Sequence, residues 1–191
     1  ITADGLGISF GFLYGQLNSS GTPAFNPSTG ELMQQRAMSR PGISTAILYE
    51  FGKPTLTYRI GAEAQFLYTY LAYDKKNDTK YEAYIHPVTV NIPVTATYHL
   101  QRKPKLSFGF GPSFSIPVGQ FSSERPANKN FNTYLDFILS KKIHTGKNNM
   151  RIELGFALGL FNMIDTSAED PYTSVVDQAK RNVYSLKIYF N

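Results

Sequence analysis

The sequence has no cysteine, no tryptophan and no long apolar run. Without cysteine the chain forms neither a disulfide framework nor a thiolate metal site. A membrane-spanning helix needs about 18 or more consecutive apolar residues, and no stretch approaches that length, so such a helix is not expected. The first residues, ITADGLGIS, have no basic region followed by an apolar one. We therefore expect that any signal peptide has already been removed.

Charge is sparse and lies in short clusters. The chain has 19 Lys and Arg against 14 Asp and Glu. A basic balance can indicate nucleic-acid binding, but the basic residues form no long run, so no nucleic-acid partner is expected. His86, His99 and His144 lie in different segments without the spacing of metal ligands. We expect no metal and no cofactor, and the length of 191 residues predicts a single domain over 1–191.

Tyrosine and phenylalanine are abundant, and apolar side chains recur at every second position. In residues 105–119, KLSFGFGPSFSIPVG, bulky apolar residues alternate with Gly and Ser. Successive side chains of a β-strand point to opposite faces, so this stretch predicts a strand with one apolar face and one small, weakly polar face. Seven further segments show the same alternation: 5–17, 43–52, 55–73, 81–100, 131–143, 150–161 and 182–190.

The connections between these eight segments alternate in length. GKP, QRKPK and HTGKNN are short, whereas residues 18–42, 74–80, 119–130 and 162–181 form mostly longer, polar connections. An even number of strands with short turns on one rim and long loops on the other is typical of bacterial outer-membrane barrels. The sequence therefore predicts an all-β fold, an eight-stranded antiparallel up-and-down transmembrane β-barrel.

The two faces of the strands indicate which side is the lumen. The polar face carries too few charges to be a solvated surface, and eight strands leave an interior just wide enough for side chains. We expect the small face to point inward and the apolar face to contact lipid. The inward positions carry four acids and three bases: Glu50, Arg59, Glu63, Asp136, Arg151, Glu153 and Lys187. Unpaired buried charges are costly, so we expect two linked ion-pair clusters, Arg59 with Glu50 and Glu153 with Lys187, that plug the lumen.

The two rims are candidate contact surfaces. Segments 55–73 and 81–100 are about twice as long as the ~9–11 residues that a tilted membrane strand needs. The hairpin should therefore project from the bilayer and carry a candidate extracellular partner surface: Tyr68, Tyr70, Tyr73, Tyr81 and Tyr84. An aromatic girdle at the membrane interface explains these tyrosines equally well. The basic periplasmic turns, which contact lipid head groups or a partner, contain Lys53, Arg102, Lys103, Lys105, Lys141, Lys142 and Lys147.

Several motifs, in their order along the chain, resemble the PorT-like outer-membrane β-barrel family of Bacteroidota, which is similar in build to OmpA-type barrels. Ile92 and Pro93 form an IP step that is followed by a short basic turn and by a strand of G.GP type at Gly109, Gly111 and Pro112. MRIELGFALGLFNMI and NVYSLKIYFN resemble the final hairpin of the family. The family is mostly uncharacterised, includes an accessory component of the type IX secretion system and has no shared catalytic residues to carry over to this chain.

The expected function is that of a non-enzymatic, porin-like integral barrel of the bacterial outer membrane with a plugged lumen. It would serve as a structural or accessory subunit of a surface, secretion or barrel-assembly complex, with outer-membrane lipids and other outer-membrane or periplasmic proteins as partners. A small channel or ligand carrier that uses the Ser/Gly lumen is the first alternative, and a lipid-modifying enzyme is the second. No nucleophile motif marks any serine, so no catalytic residue and no small-molecule substrate is assigned.

Overall fold

The computed structural model describes residues 5–21, 24–25, 32–74, 80–100, 105–118, 129–145, 148–165 and 176–190. Eight of its strands form a closed barrel: β1 (Gly5–Ser20), β4 (Pro41–Lys53), β5 (Leu56–Phe66), β8 (Val88–His99), β9 (Leu106–Pro117), β10 (Asn132–Thr145), β11 (Asn148–Gly159) and β12 (Gln178–Phe190). Around the barrel the order is β1-β12-β11-β10-β9-β8-β5-β4, and β1 pairs with both β12 and β4. All neighbours are antiparallel, so the predicted fold class is confirmed.

A four-stranded extension sheet continues the barrel wall at the end opposite the short turns. It consists of β2 (Ala24–Phe25), β3 (Leu32–Ser39), β6 (Thr69–Asp74) and β7 (Lys80–Tyr84), in the order β2-β3-β6-β7. The prediction of a long loop over residues 18–42 is wrong, because β1 continues to Ser20 and β3 runs almost directly into β4. β3 lies beyond the apolar part of the barrel wall, where outward side chains need not be apolar. Its sequence therefore lacks the alternation of apolar and small residues that identified the barrel strands.

The outward side chains of the barrel are large, apolar and exposed, as the sequence predicts. Phe12 is 72% exposed, Leu6 is 66% exposed and Ile47 is 57% exposed. On β1 this apolar belt ends at Tyr14, which pairs with Tyr184 on β12 and with Pro41 on β4. Beyond Tyr14 the outward positions of β1 are polar. Within the described residues, no helix is long and apolar enough to cross a membrane.

A small hydrophobic core lies between the extension sheet and the end of the barrel. Leu71 of β6 and Ile85, which follows β7, are fully buried there. They pack with buried residues from β1, β12 and the connection between β11 and β12, namely Leu17, Met163, Ile164, Val176 and Ala179. Apolar burial is the main stabilising contribution available to this part of the chain. It holds the extension sheet over one end of the barrel.

Gly111 of β9 lies against the backbone of β8. The β8–β9 ladder is interrupted between the pair Pro93–Ser113 and the pair Ala96–Phe110. The register is the same on both sides of this interruption. A Cβ atom on Gly111 would overlap the carbonyl oxygen of Val94. Because backbone cannot rotate out of the way as a side chain can, only glycine fits at this position.

Candidate functional site: the closed lumen

The structure brings together inside the barrel the seven charged residues that the sequence singles out for the lumen. Glu50 comes from β4, Arg59 and Glu63 from β5, and Asp136 from β10. The other three come from β11 and β12 and are Arg151, Glu153 and Lys187. Strand alternation places each of them on the inner face of the wall. They are divided between two levels of the lumen.

Ion pairs at the short-turn end of the lumen cross the barrel. Arg59 Nη1 lies 2.7 Å from Glu153 Oε1, and Arg151 Nη2 lies 2.6 Å from Glu50 Oε2. Arg151 Nε is also 3.9 Å from Glu153 Oε1, which links the two pairs. β5 and β11 are on opposite sides of the ring, so Arg59 and Glu153 connect opposite walls.

The predicted pairing of these charges was therefore wrong. Arg59 is directly opposite Glu50 in the β4–β5 ladder, and Lys187 is directly opposite Glu153 in the β11–β12 ladder. Neither of these cross-strand pairs forms the short ion pairs seen here. Long inward side chains extend away from the wall, and an eight-stranded lumen is narrow enough for them to meet charges on the far side.

Tyr189 completes this level of the lumen, which we call the inner layer: Glu50, Arg59, Arg151, Glu153 and Tyr189. Its buried ring lies under both guanidinium groups, 5.6 Å from the Arg59 Cζ and 4.8 Å from the Arg151 Cζ. Cation–π contacts of this kind are attractive and are stronger where water is absent. The inner layer thus places paired charges and an aromatic ring across the short-turn end of the lumen.

The middle of the lumen is polar and contains small cavities. Lys187 Nζ lies 2.6 Å from Glu63 Oε1, and Ser113 Oγ donates a hydrogen bond to Asp136 Oδ1 over 3.0 Å. Two cavities of about 40 and 30 Å³, measured as the space open to the centre of a water molecule, adjoin these side chains. A water molecule needs about 10–15 Å³ by this measure, so each cavity has room for a few waters. Among the described residues, no group of three or more His, Cys, Asp or Glu could hold a metal ion.

The other end of the lumen contains an outer layer of buried side chains: Leu13, Leu67, Tyr134, Val183 and Arg181. The first four form a buried hydrophobic cluster. Arg181 is completely buried above them. Its Nε donates to the Tyr134 hydroxyl over 3.1 Å, and its Nη1 donates to Thr69 Oγ1 and to the carbonyl oxygens of Ile85 and His86.

Sequence reasoning missed Arg181, which ties β12 to the extension sheet and to the segment before β8. The last strand was expected to begin at residue 182, whereas β12 begins at Gln178. Continuing the inward alternation from Lys187 back through Val183 would have placed Arg181 in the lumen. Its Nη2 has no hydrogen-bond partner among the described residues. Among the described residues, the hydrogen-bond partners of Arg181 are neutral oxygens.

The predicted rim residues have mixed positions. Tyr68 is exposed, but Tyr70 is buried and accepts a hydrogen bond from Arg40 (Nη2–Oη 3.3 Å), so its assignment to an exposed surface is wrong. The side chains of Tyr73, Tyr81 and Tyr84 lie outside the described part of the structure. Of the basic turn residues, four are described and exposed: Lys53, Lys105, Lys141 and Lys142. Arg102, Lys103 and Lys147 lie outside the described residues.

The barrel is similar to solved outer-membrane proteins. The crystal structure of the outer membrane protein OprG from Pseudomonas aeruginosa aligns over 97% of this chain and 94% of its own, with a TM-score of 0.53 and 12% sequence identity. A NanC porin structure in a rhombohedral crystal form aligns over 95% of this chain and 99% of its own, with a TM-score of 0.32 and 11% identity. No protein-family model and no curated protein sequence matches the chain. The likeness to OprG is one of fold, that of an outer-membrane β-barrel.

Proposed function

We propose that the protein is an integral barrel of the bacterial outer membrane whose lumen is closed to solutes, and that it acts as a structural or accessory subunit of a surface, secretion or barrel-assembly complex. The observation that carries this proposal is the pair of side-chain layers. Buried ion pairs close the short-turn end, and the hydrophobic cluster with Arg181 closes the other end. With the lumen closed, the lipid-facing wall and the two rims are left for function.

Membrane insertion is supported by the outward face of the barrel. The apolar belt is continuous, and Tyr14 and Tyr184 mark its edge, as interfacial aromatic residues do in membrane proteins. Short turns lie on the periplasmic side in such barrels, which would place the extension sheet outside the cell. The protein should therefore require detergent and should migrate differently in gels before and after heating. A monodisperse monomer in detergent-free buffer would contradict insertion.

The extension sheet is the surface we propose for the partner. The resemblance to the PorT-like family suggests a secretion complex of the Bacteroidota type, and the sheet offers main-chain groups outside the bilayer. Leu71 and Ile85 are buried in the core below the sheet and must be kept in any test. Replacing residues 73–81 by Asn-Gly joins Ala72 to Glu82, which are paired in the β6–β7 ladder.

This shortened variant should retain the heat-sensitive gel shift of a folded barrel but lose its partner in copurification from native membranes in mild detergent. The matched control replaces the exposed lysines of the opposite rim, Lys53 and Lys141, with glutamine. Loss of the partner in the control alone would place the contact on the periplasmic turns. Copurification of the shortened variant at the wild-type level would contradict the assignment to the extension sheet.

A channel is the second candidate function, and the cavities beside Lys187, Glu63 and Asp136 favour it. They lie between the two layers, so a permeation route would require both layers to move. Planar-bilayer recording distinguishes the two functions. We expect no steady conductance from the wild-type protein. A large, steady conductance would contradict the closed lumen and support a channel.

A further inference from the structure

A chain of hydrogen-bonding side chains ends at a serine near the short-turn mouth of the barrel. Ser107 Oγ lies 2.7 Å from His99 Nδ1. On the other side of the imidazole ring, Thr57 Oγ1 lies 2.9 Å from His99 Nε2. Thr57 Oγ1 in turn donates to Glu50 Oε1 over 2.8 Å. Three elements of the wall, β4–β5, β8 and β9, supply one connected set of a hydroxyl, an imidazole, a second hydroxyl and a carboxylate.

The proton directions along this chain are mutually consistent. A neutral His99 with its proton on Nε2 accepts from Ser107 and donates to Thr57, which donates to Glu50. If Ser107 gives up its proton, the resulting imidazolium lies 3.7 Å from Glu50 Oε1, where the carboxylate stabilises it. Arg151 holds the other carboxylate oxygen over 2.6 Å and fixes its position. These are the roles of nucleophile, base and orienting acid in acyl-transfer sites.

Neighbouring groups on β10 offer donors for a developing oxyanion. Ser140 is directly opposite Ser107 in the β9–β10 ladder. Its buried hydroxyl has no hydrogen-bond partner among the described residues. Lys142 lies two positions further toward the mouth and is exposed. Diagonal neighbours across a ladder are about 7–8 Å apart, within reach of a lysine side chain. A hydroxyl group therefore lies opposite the serine, and the Lys142 ammonium group is within reach of it.

We propose that Ser107 is an activated nucleophile and that this mouth of the barrel hydrolyses carboxylic esters that arrive from the short-turn side, where the His99 side chain is 21% exposed. Ser107 Oγ bonds to the carbonyl carbon as its proton passes to His99 Nδ1. The ester C–O bond then breaks, and His99 returns the proton to the departing alcohol. Water attacks the acyl-serine by the same proton path, releasing the carboxylic acid and restoring Ser107.

This inference goes beyond the proposed role of the barrel and is independent of whether a partner binds. The residues come from separate strands and are spread over residues 50–107, so no local motif could reveal them. Ser115 lies on the same face of β9 and is also buried, but its hydroxyl has no hydrogen-bond partner among the described residues. It provides a matched control.

The test is labelling of the full chain in detergent micelles with a fluorophosphonate, which phosphonylates activated serines with loss of fluoride. Mass spectrometry of peptides should find the label on Ser107, and Ser107→Ala should abolish it. His99→Asn should slow labelling about 10²- to 10⁴-fold, the usual contribution of a general base. Ser115→Ala should label at the wild-type rate. The labelling rate of the wild type should rise with pH through the titration of one group, and His99→Asn should lose that dependence.

Hydrolysis of a short-chain p-nitrophenyl ester measures turnover. We expect the wild type and Ser115→Ala to be equally active, His99→Asn to be slower and Ser107→Ala to be inactive. The heat-sensitive gel shift identifies any variant that has failed to fold, and such a variant is replaced by Ser107→Gly or His99→Gln. A folded wild-type protein that carries no label on Ser107 would overturn the proposal. So would equal labelling rates for the wild type and a folded His99 variant. Neither result would affect the closed lumen, which conductance tests separately.

Discussion

Replacing Glu153 with glutamine is expected to reduce the free energy of unfolding by about 3 kcal/mol, near the lower end of the range for breaking a buried ion pair. The Arg59 and Glu153 side chains are each only 4% exposed and are 2.7 Å apart. Without the carboxylate charge, Arg59 keeps its desolvation penalty and loses its nearest compensating group. Glu50 remains in the same layer, which is why the expected loss is not larger.

A double variant separates two contributions to the free energy of unfolding: the stabilisation by the Arg59–Glu153 ion pair, and the cost of leaving one of its charges buried without a partner. In Arg59→Met with Glu153→Leu, neither charge remains buried, so the loss should be smaller than the sum of the two single losses. The matched control is Lys141→Gln, which removes an exposed charge of the same barrel. Urea unfolding of protein refolded into phospholipid vesicles, followed by the gel shift, measures six proteins: the wild type, Glu153→Gln, Arg59→Met, Glu153→Leu, the double variant and the control. A Glu153→Gln loss below about 0.5 kcal/mol, the value of a solvated ion pair, would refute this reasoning.

Three further substitutions test other parts of the structure. Leu154→Arg places a cation on the apolar belt and should cost about 2–4 kcal/mol in vesicle unfolding, whereas Asn18→Arg, beyond the belt, should cost about 0–1. Gly111→Ala should prevent refolding because the added Cβ atom would overlap a backbone carbonyl oxygen. Gly155→Ala should refold because its Cβ atom would contact a serine hydroxyl, which can rotate away. The gel shift measures refolding of both variants. Arg181→Met should leave the barrel intact but loosen the extension sheet, so that limited proteolysis cleaves the sheet faster while the gel shift remains.

Much of the barrel can be predicted from the alternation of side chains. Leu6, Ile8, Phe10 and Phe12 alternate with Gly, Ser and Gly, and in the structure they point outward. This works because strand geometry places successive residues on opposite faces whatever their neighbours are. The same pattern covered most of β6 and β7, within segments 55–73 and 81–100, but it did not predict β3, which has polar residues at positions where the barrel strands are apolar. Its strand conformation depends on pairing with β6.

The sequence by itself determined which residues are in the lumen, since alternation assigns Glu50, Arg59, Glu153 and Lys187 to one face of their strands. It did not determine which charges pair. That choice depends on the distance across the closed barrel, which brings Arg59 to Glu153 and leaves the ladder neighbours Glu50 and Lys187 to other partners. The Ser107–His99 contact likewise exists only after β8 and β9 pair. Periodicity along a strand determines which face a side chain occupies. Which charges pair across the lumen is determined only when the strands close into a ring.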